Sequence, residues 1–191
     1  MEAIWTRIRS WIEANAPQLL EVLQPGASEA RIRKLEESLS IRLPDDVKAL
    51  YRLCNGQSSY DYGLLNGTEF LSLERIQDEW SVWKGLLDAG ELVPDDSVES
   101  SRIDRGIRQV WWSPKWIPLT YNGAGDHHCL DLDPAKEGTM GQIITMWHDD
   151  DERKVVASSI RAWLQQYAEQ LKSGQLVYSE DYDGIVDVND I

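Results

Sequence analysis

The chain has 191 residues, of which 42% are hydrophobic and 27% charged, and its formal net charge is −14. That length can bury a sizeable core in one domain, and the composition is that of a globular chain without a membrane-spanning apolar run. The acidic balance argues against nucleic acid and anionic membranes, whose phosphates want Lys or Arg, and suits a basic protein partner.

Ile4, Ile8, Trp11 and Ile12 fall on one helical face, so the spacing predicts an amphipathic helix over about 2–15. This stretch is charged throughout and lacks the continuous apolar segment and cleavage site of a secretory leader. Pro17 and Gln24-Pro25-Gly26 follow as breakers, and Ser28 is placed to cap a second helix with Ile32, Leu35 and Leu39 inward. In LPDDVKALYRLCNG, Pro44 suits the first helical position, while Asp45 and Asp46 suit the positive end of the helix dipole. Val47, Leu50, Tyr51 and Cys54 form the buried stripe of that helix, and Asn55-Gly56 offers a left-handed stop. Residues 57–67 read as turns with a short strand, and 69–72 as another strand. Leu73, Ile76, Trp80, Trp83 and Leu87 then predict a helix ending near Gly90. Residues 91–108 form a polar loop without a pattern, and such loops in compact domains are usually functional or mobile.

QVWWS, WIPLT, HCLDLD and QIITMW are short apolar runs separated by turn residues, the pattern of a β-meander. A charged loop over 148–154 leads into a predicted helix over 157–172, with Ile160, Trp163, Leu164, Tyr167 and Leu171 inward and Gly174 as terminator. Short strands are expected at 176–178 and 185–188, on either side of the acidic SEDYDG. Helices, then strands, then a helix define an α+β single domain: a mostly antiparallel β-sheet packed with N-terminal and C-terminal helices.

Reactive side chains concentrate in GAGDHHCLDLDP, residues 123–134. The letters DHHC also mark membrane-bound acyltransferases, but there they sit in a cysteine-rich loop between membrane spans, so the match is coincidental. On a strand, His127, Cys129, Asp131 and Asp133 share one face, and His128, Leu130 and Leu132 the other. His127, Cys129 and Asp131 are therefore the residual metal candidates, although no second His or Cys cluster supplies a fourth ligand. The plainer reading turns Leu130 and Leu132 toward the core, and no metal or cofactor is expected. Cys129 has no identifiable orienting partner for nucleophilic work, and Cys54 lies on a helical stripe. Asn122-Gly-Ala-Gly125 joins two strands with no helix or Lys after it, so it reads as a hairpin turn rather than a phosphate loop. The two cysteines make no disulfide framework, and a reducing, cytoplasmic setting fits them.

Three blocks carry a family resemblance: SEARIRKLEESLSIRLPDDVKALYRLCNG, WIPLTYNGAGDHHCLDLDPAKEGTMGQII and VVASSIRAWLQQYAEQLKSG. In order and spacing they resemble the SUKH superfamily, which includes fungal cell-wall synthesis regulators of the Smi/Knr type and many bacterial proteins. The resemblance implies one α+β domain without catalytic activity. Many bacterial members are immunity proteins that neutralise toxin domains, often nucleases, by binding them. It divides the chain into an N-terminal helical extension (1–27), a SUKH-like domain (28–174) and an acidic tail (175–191).

The leading functional expectation is therefore a non-enzymatic immunity protein that occludes a basic toxin domain. The alternative is a regulatory or scaffold module for an endogenous protein partner. Acidic runs at Asp95-Asp96, Asp149-Asp150-Asp151-Glu152 and Glu180 to Asp183 would converge on such a partner, with Asp181 and Asp183 contributing from the last. Trp111 and Trp112, expected on opposite faces of a strand, and Trp147 beside the acidic loop are the candidate aromatic anchors.

Overall fold

A computed structural model describes residues 1–92 and 98–191. Its N-terminal half is helical: α1 (Glu2–Asn15), the single turn α2 (Leu19–Val22), α3 (Glu29–Leu39), α4 (Asp45–Leu53) and α5 (Leu73–Ala89). Short strands β1 (Leu23–Pro25), β2 (Cys54–Gln57) and β3 (Glu69–Phe70) lie between them. The C-terminal half holds β4 (Trp116–Pro118), β5 (Thr120–Tyr121), β6 (His127–Asp131), β7 (Gln142–Met146) and β8 (Val155–Ala157). Helix α6 (Ile160–Ser173) and the hairpin β9 (Leu176–Ser179) and β10 (Gly184–Asp187) complete the α+β fold.

Local chemistry sets the helix ends. The Ser28, Ser72 and Ser159 hydroxyls accept hydrogen bonds from the backbone N–H of Arg31, Arg75 and Ala162, capping α3, α5 and α6. Gly90 and Gly174 close α5 and α6 in the left-handed conformation. Helix α4 stops one residue before its apolar stripe does, because Cys54 already belongs to β2, which pairs with β1. Asn55-Gly56 is thus strand rather than helix stop. Gly56 has φ +69°, and a Cβ there would lie 2.5 Å from the Leu71 carbonyl carbon.

Strands β4-β6-β7-β8 form the main antiparallel sheet in that order. Trp116 pairs with Asp131, Ile117 with Leu130, and Cys129 with Ile144. Both faces of this sheet are buried. Ile117, Leu130, Ile143 and Ala157 join the main core under α1, α3, α4 and α6. Trp116, Cys129, Ile144 and Met146 face a second core built from Trp83 of α5 together with Ile103, Ile107 and Trp112. Alternation along β6 therefore separates two interiors rather than inside from outside.

Several expectations change accordingly. Residues 109–113 are not a strand, and within the described part of 91–108 the chain makes a 3-10 turn, Ser100–Arg102, then buries Ile103 and Ile107. Residues 155–157 form an edge strand, so the last long helix starts at Ile160. The predicted strand within 57–67 is replaced by isolated bridges, Gly63 to Gly184 and Leu65 to Thr68. Through the first of these the β9–β10 hairpin seats on the 63–67 turn, where Ile185 N–H donates to the Gly63 carbonyl.

An aromatic groove beside the second core

The second core is organised by a histidine. Trp83 Nε1–H donates to His127 Nε2 over 3.1 Å, and His127 Nδ1 lies 2.7 Å from the Thr120 carbonyl oxygen. An indole nitrogen only donates and a carbonyl only accepts, so His127 carries its proton on Nδ1 and is neutral. Burial pushes its pKa down, and Tyr121 stacks on its ring at 5.6 Å. His128, on the opposite face, packs against Trp147 and Trp163, and burial lowers its pKa to about 4.

Arg153 is fully buried beneath the acidic loop. Its guanidinium donates to the backbone carbonyls of Asp150, Glu152 and Trp111, and it lies 5.5 Å from the Trp111 ring centroid and 6.0 Å from that of Trp116. The cation is held by carbonyls and aromatic faces, and burial pulls its pKa down. It is the rivet between the 149–152 loop and the segment that carries Trp111.

Between α5 and the 122–125 turn lies a groove of about 560 Å³, lined by Glu79, Val82, Trp83, Leu86, Trp111 and Tyr121 among others. Val82 is 59% exposed, while Trp83 is in the interior and contributes to the groove's lining. Glu79 and Glu91 stand on the lining, and His148 closes one end. There the Asp126 carboxylate accepts hydrogen bonds from His148 N–H (2.9 Å), His148 Nδ1 (2.8 Å) and Asn122 Nδ2 (2.7 Å). Burial works to raise the Asp126 carboxyl, but these bonds outweigh it and hold it below the usual range. The same bond to Asp126 raises His148.

Asp126, His148 and Asp149 form the one group among the described residues whose possible ligand atoms lie within 4.8 Å of one another. Asp126 and His148 are engaged in the hydrogen bonds just described, which clamp the hairpin turn to His148, while Asp149 lies 4.0 Å from the His148 ring. The earlier metal candidates do not converge. His127 is committed to Trp83 and Thr120, Asp131 accepts from Gln142 Nε2 and Asp133 N–H at 2.9 and 3.0 Å, and Cys129 is fully buried in the second core. Burial raises the Cys129 thiol and pushes Cys54 up to about 12, so neither presents a thiolate.

The candidate contacts separate into three groups. Trp112 is in the interior, stacked at 6.3 Å on Trp83, so it is a core residue and not an anchor. Trp147 is half-buried and packs edge-on against His128. Trp111 is the candidate that the structure brings to the groove. In the acidic loop, Asp150 and Asp151 both pair with Arg102, at 2.8 and 2.5 Å, and Glu152 lies 3.4 Å from Lys154, so these carboxylates are partly spent on the chain itself. Asp149 keeps a side chain 75% exposed. Asp181 and Asp183 are exposed on the β9–β10 turn, outside the groove lining. Asp95 and Asp96 fall outside the described residues. Missed in the sequence were Val82 and Leu86, whose i,i+4 spacing marks a second apolar stripe on α5.

Fold and groove together define a single α+β domain with an apolar groove between α5 and the 122–125 turn. The SMI1 / KNR4 family (SUKH-1) matches residues 26–166, and the chain belongs to that family. It is 31% identical over 189 residues to the cell wall biosynthesis/cell cycle regulator smi1 of Schizosaccharomyces pombe, covering 93% of this chain and 37% of that protein. It is 27% identical over 93% of its length to the glucan synthesis regulatory protein of Neurospora crassa, and 24% identical over 94% to the cell wall assembly regulator SMI1 of Saccharomyces cerevisiae. The chain spans only 39% and 42% of those two relatives.

Proposed function

We propose that this chain is a non-enzymatic regulatory module that binds a protein partner through the Trp111–Val82–Tyr121 groove. The expectation of an immunity protein rests on bacterial members of the superfamily. The relatives found here are named as cell-wall and glucan-synthesis regulators, which supports the regulatory reading in its place. The observation that carries the binding site is the groove itself. Apolar surface from Val82, Leu86 and Trp111 is joined on the lining by exposed Glu91 and by Glu79, which pairs with Arg75 at 2.6 Å, on a chain of net charge −14. Aromatic anchors with a charged rim are how proteins hold a segment of opposite charge. The partner segment is accordingly basic with an apolar residue.

The reading is tested by placing a photo-crosslinking residue at Val82 and, as control, at exposed Glu13 of α1. A discrete protein joined only through Val82, with no growth rescue by this chain of cells expressing any toxin encoded beside it, supports regulation. Rescue from such a toxin restores the immunity reading, and equal crosslinking from both positions removes the groove.

A further inference from the structure

A second cleft, of about 930 Å³, lies between the C-terminal end of α3 and the loop that joins β6 to β7, well separated in its lining from the aromatic groove. Its lining includes Arg33, Arg42 and Lys115, with Ile41, Leu132 and Met140. On a chain with 33 acidic and 19 basic residues, this inverts the general charge balance. Glu36, also on the lining, is buried, and its carboxylate takes Lys48 Nζ at 3.0 Å and the Leu43 N–H at 2.8 Å. Glu37 is the exposed anion of the lining.

The three cations differ in how far they are committed. Arg42 has a side chain 88% exposed, with its guanidinium 3.7 Å from Glu36. Lys115 Nζ donates to the Ser40 carbonyl over 2.9 Å, answering the negative end of α3. Arg33 makes no ion pair within 4 Å among the described residues and is exposed. The apolar part is equally specific: Met140 is 63% exposed beside partly buried Leu132. Met offers a flexible, polarizable surface that adapts to an incoming apolar side chain. The wall is held in place, since Gly141 takes φ +84° and donates to the Asp131 carbonyl, and a Cβ on it would meet Pro44 at 3.3 Å.

We propose that this cleft is a second docking surface, for an acidic segment of a protein partner that carries an apolar residue onto Met140 and Leu132 and its carboxylates onto Arg33 and Arg42. Arginine forks suit carboxylates two bonds at a time, and an apolar anchor is needed because exposed ion pairs alone hold weakly. This surface is independent of the aromatic groove and of the charge chosen for its partner. With both, the domain would hold a basic and an acidic segment on different faces.

Fluorescence polarisation with the full chain tests the proposal, using three labelled peptides: one of Glu and Leu, one of Glu and Ser, and one of Lys and Leu. The Glu/Leu peptide is expected to bind in low salt and to weaken about tenfold or more in R33E/R42E and in M140D. It is expected to be unaffected by R161E, a charge reversal on α6 outside the cleft. All substituted side chains are exposed, and an unchanged unfolding midpoint in each variant keeps the comparison clean. Equal weakening by R161E, equal binding of the Glu/Ser peptide, or no binding of the Glu/Leu peptide would each overturn the proposal. So would concentration-dependent self-association abolished by R33E/R42E without peptide binding, because the occupant would then be a second copy of this chain.

Discussion

The Trp83 indole donates a hydrogen bond to Nε2 of His127, 44 residues further along the chain, and thereby fixes both the histidine's tautomer and the position of α5 on the sheet. The groove exists because α5 is held there: Trp83 faces inward to His127 and Trp112, which leaves Val82 and Leu86 at the surface beside Trp111 and Tyr121. A histidine that reads in sequence as chemistry is a structural post under the groove.

His127→Ala is expected to destabilise the fold by about 2–4 kcal/mol, because it opens a cavity and leaves the Trp83 N–H and a Thr120 carbonyl lone pair unmatched in the interior. Urea unfolding at neutral pH measures this. Nitrogen shifts of the His127 ring should report a proton on Nδ1 across the neutral range.

Acid should weaken the fold in a defined window. His127 and His128 both have folded pKa values below their ordinary 6.5, the latter about 4, so the unfolded chain binds more protons. Their contribution is complete above pH 6.5 and is lost as pH falls below it, in the case of His128 down to about 4, by about 1.4 kcal/mol per pH unit for each proton taken up. His128→Leu should flatten that slope. His148 has the opposite sign: its raised pKa adds stability below 6.5 that fades as pH rises through the folded value, and its exposure keeps the effect small.

Arg153→Met should cost about 1–3 kcal/mol while preserving most of the packing between Trp111 and Trp116. Its further consequence is local. Amides of 149–152 should exchange with solvent faster than in the parent, since the donors to the Asp150 and Glu152 carbonyls are gone. Arg153→Lys should recover little, because one ammonium cannot span three carbonyls on two segments.

Two glycines should respond with opposite sign. Gly56→Ala forces a Cβ onto the Leu71 backbone at φ +69° and should cost about 2 kcal/mol or more. Gly85→Ala, in α5 with nothing within 4 Å, should gain about 0.5–1 kcal/mol. Paired thermal melts separate the two.

What could be read in the sequence was what neighbours along the chain decide. Ser28 caps α3 and the Leu73-Ile76-Trp83 stripe makes α5, since capping and 3.6-residue periodicity act within a turn or two. Failures came where distant segments meet. Cys54 and Ala157 sit on strands because β1 and β7 pair with them, against a helical pattern. His127, Cys129 and Asp131 were metal candidates because alternation along the strand puts them on one face, opposite Leu130. Trp83, Trp112 and Ile107 instead cover that side with a second interior. Of the groove, Trp111 was named as one face of a strand over 109–113, which does not form. Tyr121 and Val82 were not, because only the folding of α5 across the sheet brings them together.

The central claim, that the groove beside α5 binds a basic apolar segment, is tested most directly by two-dimensional NMR of the nine indole N–H groups during titration with the Lys/Leu peptide. The Trp111 and Trp83 signals should move while that of Trp5, buried against Phe70 in the main core, stays fixed, and Val82→Asp should abolish the change. Unmoved Trp111 and Trp83 signals, or equal shifts in Val82→Asp, would contradict it.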